Sequence, residues 1–109
     1  MKYAITSRGK SLEARIDKHF GRCEYVVIYD PGTGGWEFIP NPFKELDEGV
    51  GPLLVEMLHE KGIKRIVSGS FGINIKDLID SKHIQMIIPK NDDITVSSII
   101  EMIENSSVS

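Results

Sequence analysis

The sequence predicts an α/β fold. Its core is a mixed five-stranded sheet in the order 3-2-1-4-5, with strand two antiparallel and helices on both faces. Three observations carry this. Residues 24–30 (Glu-Tyr-Val-Val-Ile-Tyr-Asp) are β-branched and aromatic on both alternating faces, the mark of a strand buried on both sides. The run Asp30-Pro31-Gly32-Thr33-Gly34-Gly35 is dense turn chemistry and folds that strand back onto Trp36–Ile39 as a hairpin. Beyond the hairpin, apolar stripes at helical spacing alternate with short aliphatic runs, which is the β-α-β pattern of right-handed parallel crossovers.

Taken in order, residues 2–7 read as the first strand. Residues 8–22 are polar and read as a loop, with Leu12 and Ile16 spaced for one side of a short helical turn. The hairpin follows, closed by Asn41-Pro42. Residues 43–51 form an acidic loop. Gly51-Pro52 then opens a helix with Pro52 at the first helical position, and Leu53, Leu54, Met57 and Leu58 make its stripe until Gly62 stops it. Residues 64–68 are strand four. After Gly69-Ser70-Phe71-Gly72, Asn74 is placed to cap a short helix with Asp77 three residues on. Residues 84–88 are strand five, and Lys90–Asp93 a turn. Thr95 caps the last helix, where Val96, Ile99, Ile100 and Ile103 follow the i, i+3, i+4, i+7 pattern; Asn105–Ser109 reads as a frayed tail.

A chain of 109 residues fits one domain, here 1–109, and its 40% hydrophobic content supplies a core without metal or disulfide staples. Cys23 is the single cysteine, so no intramolecular disulfide exists and a reducing compartment is expected. There is no run of ~20 apolar residues for a membrane span and no signal-peptide pattern, so a cytoplasmic location without membrane association is expected. The net charge of −3 argues against a nucleic-acid surface. That charge is uneven, with residues 1–24 at +3 and the remainder at −6. A solvated loop and a local attractor for an anion are both compatible with it.

In parallel α/β sheets, ligands bind beyond the carboxyl ends of the strands. The predicted order brings several segments to that edge. Ser7 and Arg8 end strand one, His19-Phe20-Gly21-Arg22-Cys23 lead into antiparallel strand two, and Gly69 and Ser70 end strand four. Gly49 and Gly51 enter one helix there, and Gly72 and Asn74 enter another. Helix N-termini carry unpaired N–H groups and about half a positive charge. His19 is a candidate metal or cluster ligand, imidazole being the commonest. Cys23 is a second candidate if it ionises, against a reading as a small buried hydrophobe. Arg22 and Arg8 can steady an anion by forked hydrogen bonds. Two ligands are too few for a closed zinc site, which takes four. His59 and His83 read as structural or exposed. Gly9-Lys10-Ser11 mimics the end of a phosphate-binding loop, but Ala4 stands where its first glycine must be.

The run from Asp17 to Asp30, with His19-Phe20-Gly21-Arg22 leading into an aromatic and aliphatic strand, resembles the dinitrogenase iron-molybdenum cofactor biosynthesis family. The similarity continues through Asn41-Pro42, Gly49-Val50-Gly51-Pro52, Leu58 to Lys61-Gly62, Ser68–Asn74 and Thr95-Val96, covering nearly the whole chain in order. Cys23-Glu24 departs from the family pattern, which has a small residue and often proline there. The resemblance implies a ribonuclease-H-like three-layer fold. It also implies a non-enzymatic carrier for iron-molybdenum cofactor or a related metal–sulfur cluster. Such cargo would be bound transiently, would not be needed for folding, and would pass to a protein partner for delivery. A nuclease reading fails because strand one, Tyr3–Ser7, carries no acid to hold metal ions. No Ser–His–Asp or Cys–His pairing is identifiable from spacing. The alternative is a small-anion or protein-interaction module at the same edge, without a bound metal.

Overall fold

Period-two alternation along β1 (Lys2–Ser7) places Ala4 on one face of the sheet and Tyr3 and Ile5 on the other, and each face has its own core. The computed structural model describes residues 1–91 and 93–106. The remaining elements are β2 (Tyr25–Asp30), β3 (Gly35–Pro40), α1 (Val50–Glu60), β4 (Ile63–Val67), α2 (Lys76–Ser81), β5 (Gln85–Ile87) and α3 (Val96–Ser106). The sheet runs β3-β2-β1-β4-β5. β2 is antiparallel to β1 and β3, whereas β1, β4 and β5 are mutually parallel neighbours. Order and directions are those expected from the sequence.

On one face, Ala4, Val26 and Ile66 meet Leu54, Val55 and Leu58 of α1 and Ile79 of α2. On the other, Ile5, Val27, Tyr29 and Val67 meet Val96, Ile99, Ile100 and Ile103 of α3. The helices thus divide two and one. Both patterns are the sequence periodicities realised, since a strand buried on both faces needs cover from each side.

Several local expectations are corrected. Helix α1 starts at Val50, after Gly49 in the left-handed region (φ 77°), so Pro52 is the third helical residue and not the first. The first four N–H groups of a helix have no intrahelical acceptor, so a proline there costs no hydrogen bond. Asn74 makes no side-chain cap; it lies in a 3-10 turn, Ile73–Ile75, that runs directly into α2. Leu12 and Ile16 form no helical turn. Ile16 bridges to Ser7 as a strand-like residue and is fully buried, with Leu12 packed on the same core. Helix α3 continues through Asn105 and Ser106, while the remainder of the expected tail, 107–109, and Asp92 of the expected turn lie outside the described residues. Thr95 does cap α3, its hydroxyl accepting the Ser98 N–H at 3.2 Å. Gly62 ends α1 at φ 80°. His83 ends α2 at φ 58°, a conformation uncommon for residues other than glycine.

Among the described residues, no helix is long and apolar enough to cross a membrane.

Candidate functional site

Asp17 is the anchor of the site. Its N–H donates to the Thr6 carbonyl at 3.1 Å, and its own carbonyl accepts the Gly69 N–H at 3.0 Å and the Thr6 hydroxyl at 3.0 Å. The loop after β1 is therefore stitched to the carboxyl ends of β1 and β4 together. The Asp17 carboxylate then takes the His19 N–H at 3.0 Å, an Asx turn that sets the direction of the next residues. The Ser70 hydroxyl donates to the Lys18 carbonyl. His19 and Lys18 are exposed on this stitched loop, and Phe20 folds inward to be 2% exposed. Its ring lies 5.6 Å from that of Phe71, tilted.

Close approach is what the glycines permit. A Cβ on Gly69 would stand 2.8 Å from the Lys18 Cα and 3.2 Å from the Asp17 carbonyl oxygen. A Cβ on Gly51 would stand 2.9 Å from the Ile75 Cγ2. At Gly72 a Cβ would meet nothing within 4 Å, and its φ of −61° suits any residue. Gly69→Ala is therefore expected to cost about 1–3 kcal/mol by overpacking and to displace the His19 loop. Gly72→Ala should stay within ~0.5 kcal/mol. Urea unfolding of the two variants, with the His19 ring resonances as a local monitor, checks both.

A second tie holds the far side. The buried Asn41 amide donates to the carbonyls of Gly21 at 2.8 Å and Cys23 at 3.0 Å, and its oxygen accepts the Phe43 N–H at 3.0 Å. Arg22 spans outward, donating to the carbonyls of Lys44 at 2.8 Å and Asp47 at 3.1 Å. This uses two of the five N–H groups of a guanidinium. The acidic loop 43–49 is thereby held beside the His19 loop and leads straight into α1.

Between these segments lies an open cavity of about 600 Å³. His19, Gly21, Arg22, Ser70 and Gly72 line it together with Gly49 and Gly51. Phe20, Val50, Pro52, Phe71 and Ile75 make much of the wall apolar, and Glu48 adds a carboxylate. No side chain caps the N-terminus of α1, which forms one wall. The end of that helix offers free N–H groups and partial positive charge.

The structure thus brings together His19, Phe20, Gly21, Arg22, Gly49, Gly51, Ser70 and Gly72. Ser7, Arg8, Cys23, Gly69 and Asn74 do not line the cavity. Ser7 is buried, with its hydroxyl bonded to the Gly9 carbonyl at 2.7 Å. Arg8 is exposed beside Arg15, whose carbonyl accepts its N–H. Gly69 shapes the loop from behind. Cys23 is fully buried in the α1-side core. Burial, then the nearby Asp17 carboxylate, push its thiol up to about 12. No group of three or more His, Cys, Asp or Glu side chains able to hold a metal ion exists among the described residues.

The sequence did not reveal Asn41 as the fastener of this site, or Glu48, Val50, Pro52, Phe71 and Ile75 as wall. Asn41 was visible only as the end of the hairpin. A signal did exist, in that a polar residue flanked by apolar strand and proline must bury an amide that needs partners.

The class of protein these features define is a mixed α/β domain with a loop-built, partly apolar cavity at one sheet edge. The chain belongs to the dinitrogenase iron-molybdenum cofactor family, whose model matches residues 1–106. Its structure is similar to the apo form of the orange protein from Desulfovibrio gigas, at 22% identity and TM-score 0.83, covering 96% of this chain and 88% of that one. It is also similar to the NMR structure of a Thermotoga protein described as a candidate NifB protein, at 27% identity and TM-score 0.79, covering 95% and 87%. Comparison with curated protein sequences gives no match.

Proposed function

We propose that this protein is a non-enzymatic carrier on a ribonuclease-H-like fold, binding iron-molybdenum cofactor or a related anionic metal–sulfur cluster transiently in the His19–Arg22 cavity. The observation that supports it best is the make-up of the cavity. One exposed imidazole, one arginine with donors to spare and an uncapped helix N-terminus converge on a partly apolar space of about 600 Å³. A bare metal ion would need several protein ligands. A preformed cluster brings its own sulfides, so one imidazole and a field of N–H donors suffice. Weak protein ligation also suits a carrier, because cargo held by a single ligand can be surrendered. Cluster binding, as opposed to anion binding in general, rests on the family to which the chain belongs.

In this reading His19 supplies the metal ligand. Arg22 supplies fixed positive charge, and Ser70, Gly72 and the Gly49–Gly51 turn supply hydrogen-bond donors. Cys23 is given no part, because its sulfur is in the core. Iron, molybdate and sulfide would be offered to protein purified without oxygen, followed by metal analysis and an absorption spectrum. A coloured, stoichiometric complex is expected for the wild type and for Cys23→Ala, weakened at least ~tenfold in His19→Ala, which removes the imidazole ligand. No uptake by the wild type would sink the carrier reading and leave a metal-free anion- or protein-binding module.

A further inference from the structure

Of the helices, α3 alone covers the face opposite α1 and α2, and near β5 a second cavity of about 400 Å³ opens. Tyr3, Val67 and Ile87 from the sheet, Ile94 from the connection and Ile99 and Ile103 from α3 form its walls. Met102 stands at its lip, 58% exposed. The sequence periodicity accounts for the buried part of α3. It does not account for an apolar groove left open beside it. The groove's size falls in the range of small-ligand pockets, about 300–1,000 Å³.

Charge narrows the choice of occupant. Lys90 lines the groove. A smaller cavity of about 200 Å³ adjoins it, sharing Tyr3 and Ile103, and is lined by Arg65. Arg65 is half-buried, stacks 5.4 Å from the centre of the Tyr3 ring and donates to its hydroxyl. Among the described residues, the ion pairs join Arg15 to Asp93, Lys44 to Glu24 and Glu45, and Lys82 to Glu56. Neither Lys90 nor Arg65 has a carboxylate partner there. Two cations that form no ion pair among the described residues therefore flank an apolar groove. An apolar neutral molecule would use the walls and ignore the cations, whereas an anionic amphiphile uses both.

We infer that this groove is a binding site for a free medium-chain carboxylate. Its chain lies between α3 and the β4–β5 strands and its carboxylate pairs with the Lys90 ammonium. The site is on the opposite face of the sheet from α1 and α2 and does not depend on the carrier reading.

The test is an NMR titration of isoleucine-methyl-labelled full-length protein with octanoate, butyrate and octan-1-ol. Saturable shifts are expected at Ile87, Ile94, Ile99 and Ile103, with Ile66 and Ile79 in the other core unmoved. Octanoate should bind far more tightly than butyrate, several-fold per methylene. Lys90→Glu, at an exposed position, should weaken octanoate at least ~tenfold and leave octanol unchanged. Equal affinities for octanoate and octanol, indifferent to Lys90→Glu, would overturn the carboxylate. Loss on Arg65→Gln but not on Lys90→Glu would overturn its placement. Unsaturable shifts, or groove shifts that track protein concentration with dimer-like diffusion and no ligand, would overturn the site itself, the last by showing a second copy in the groove.

Discussion

Replacing Asn41 by leucine is expected to cost about 3–5 kcal/mol of stability, the largest loss for a single side chain outside the apolar core. The Asn41 amide serves the Gly21 carbonyl, the Cys23 carbonyl and the Phe43 N–H at 2.8, 3.0 and 3.0 Å. Each is a backbone group that a leucine cannot serve, and an orphaned buried polar group costs ~1–3 kcal/mol. Partial access of water at the loop keeps the sum toward the lower end. Domains of this size hold ~5–15 kcal/mol in total, so the loss takes a large share. Thermal unfolding should fall by more than ~10 °C. Asn41→Asp separates geometry from chemistry. An aspartate keeps the acceptor for Phe43 N–H but turns an oxygen toward two carbonyls, so it should be nearly as damaging as leucine. Calorimetry on both variants decides the matter, and a loss under ~1 kcal/mol for either would show that the amide is not the fastener. Because the three bonds tie the His19–Arg22 loop to the acidic loop, folded Asn41→Leu protein should also lose the cavity.

Cys23 should be almost inert in the folded protein. Its thiol is fully buried and raised from an ordinary 9.0 to about 12, chiefly by burial. The thiolate is the reactive form. A gap of that size lowers its population at pH 8 roughly a thousandfold, since each unit is tenfold. Alkylation by iodoacetamide at pH 8 should therefore run at least ~10³ slower in native than in urea-unfolded protein. A native rate within tenfold of the unfolded one would return Cys23 to the pool of ligands. The same shift has a pH consequence of definite sign. A group that ionises to an anion, with its folded pKa raised, stabilises the fold below the unfolded pKa. That contribution is lost as pH climbs toward the folded value. For Cys23 the window runs from pH 9 to about 12. Tyr29 adds to the upper part of it, from 10 to about 12, through burial and then the hydrogen bond to Glu104 at 2.8 Å. The contribution of these two groups should be flat below pH 9 and then fall by several kcal/mol. Cys23→Ala should flatten the first part of that fall.

Much of the fold was legible because its signals are local. The hairpin at 30–35, the buried run 24–30 and the α3 stripe each sit within a few residues of one another, and strand order followed from connection rules. The cap at Thr95 needed only its neighbours. The errors were also local but turned on competition between options. Asn74 had the residue type of a cap, yet the chain enters α2 through a 3-10 turn that leaves no cap to make. Pro52 could serve at either the first or the third helical position, and Gly49, free to take φ 77°, set the start two residues earlier.

For the cavity, residue type and sheet order alone determined that His19, Arg22 and the glycine loops share one edge. Only the tertiary structure decided which of them face the same space. Cys23 follows His19 by four positions and yet lies in the core, because entry into β2 turns its sulfur toward α1. Arg8 ends β1 and yet stays outside the cavity. Asn41 became a fastener through bonds to carbonyls 18 and 20 residues away. Bonds of that reach form between groups that chain proximity never brings together. They depend on the sheet having already folded the hairpin back on itself, and so the order of residues signals at most a buried amide and not the carbonyls it serves.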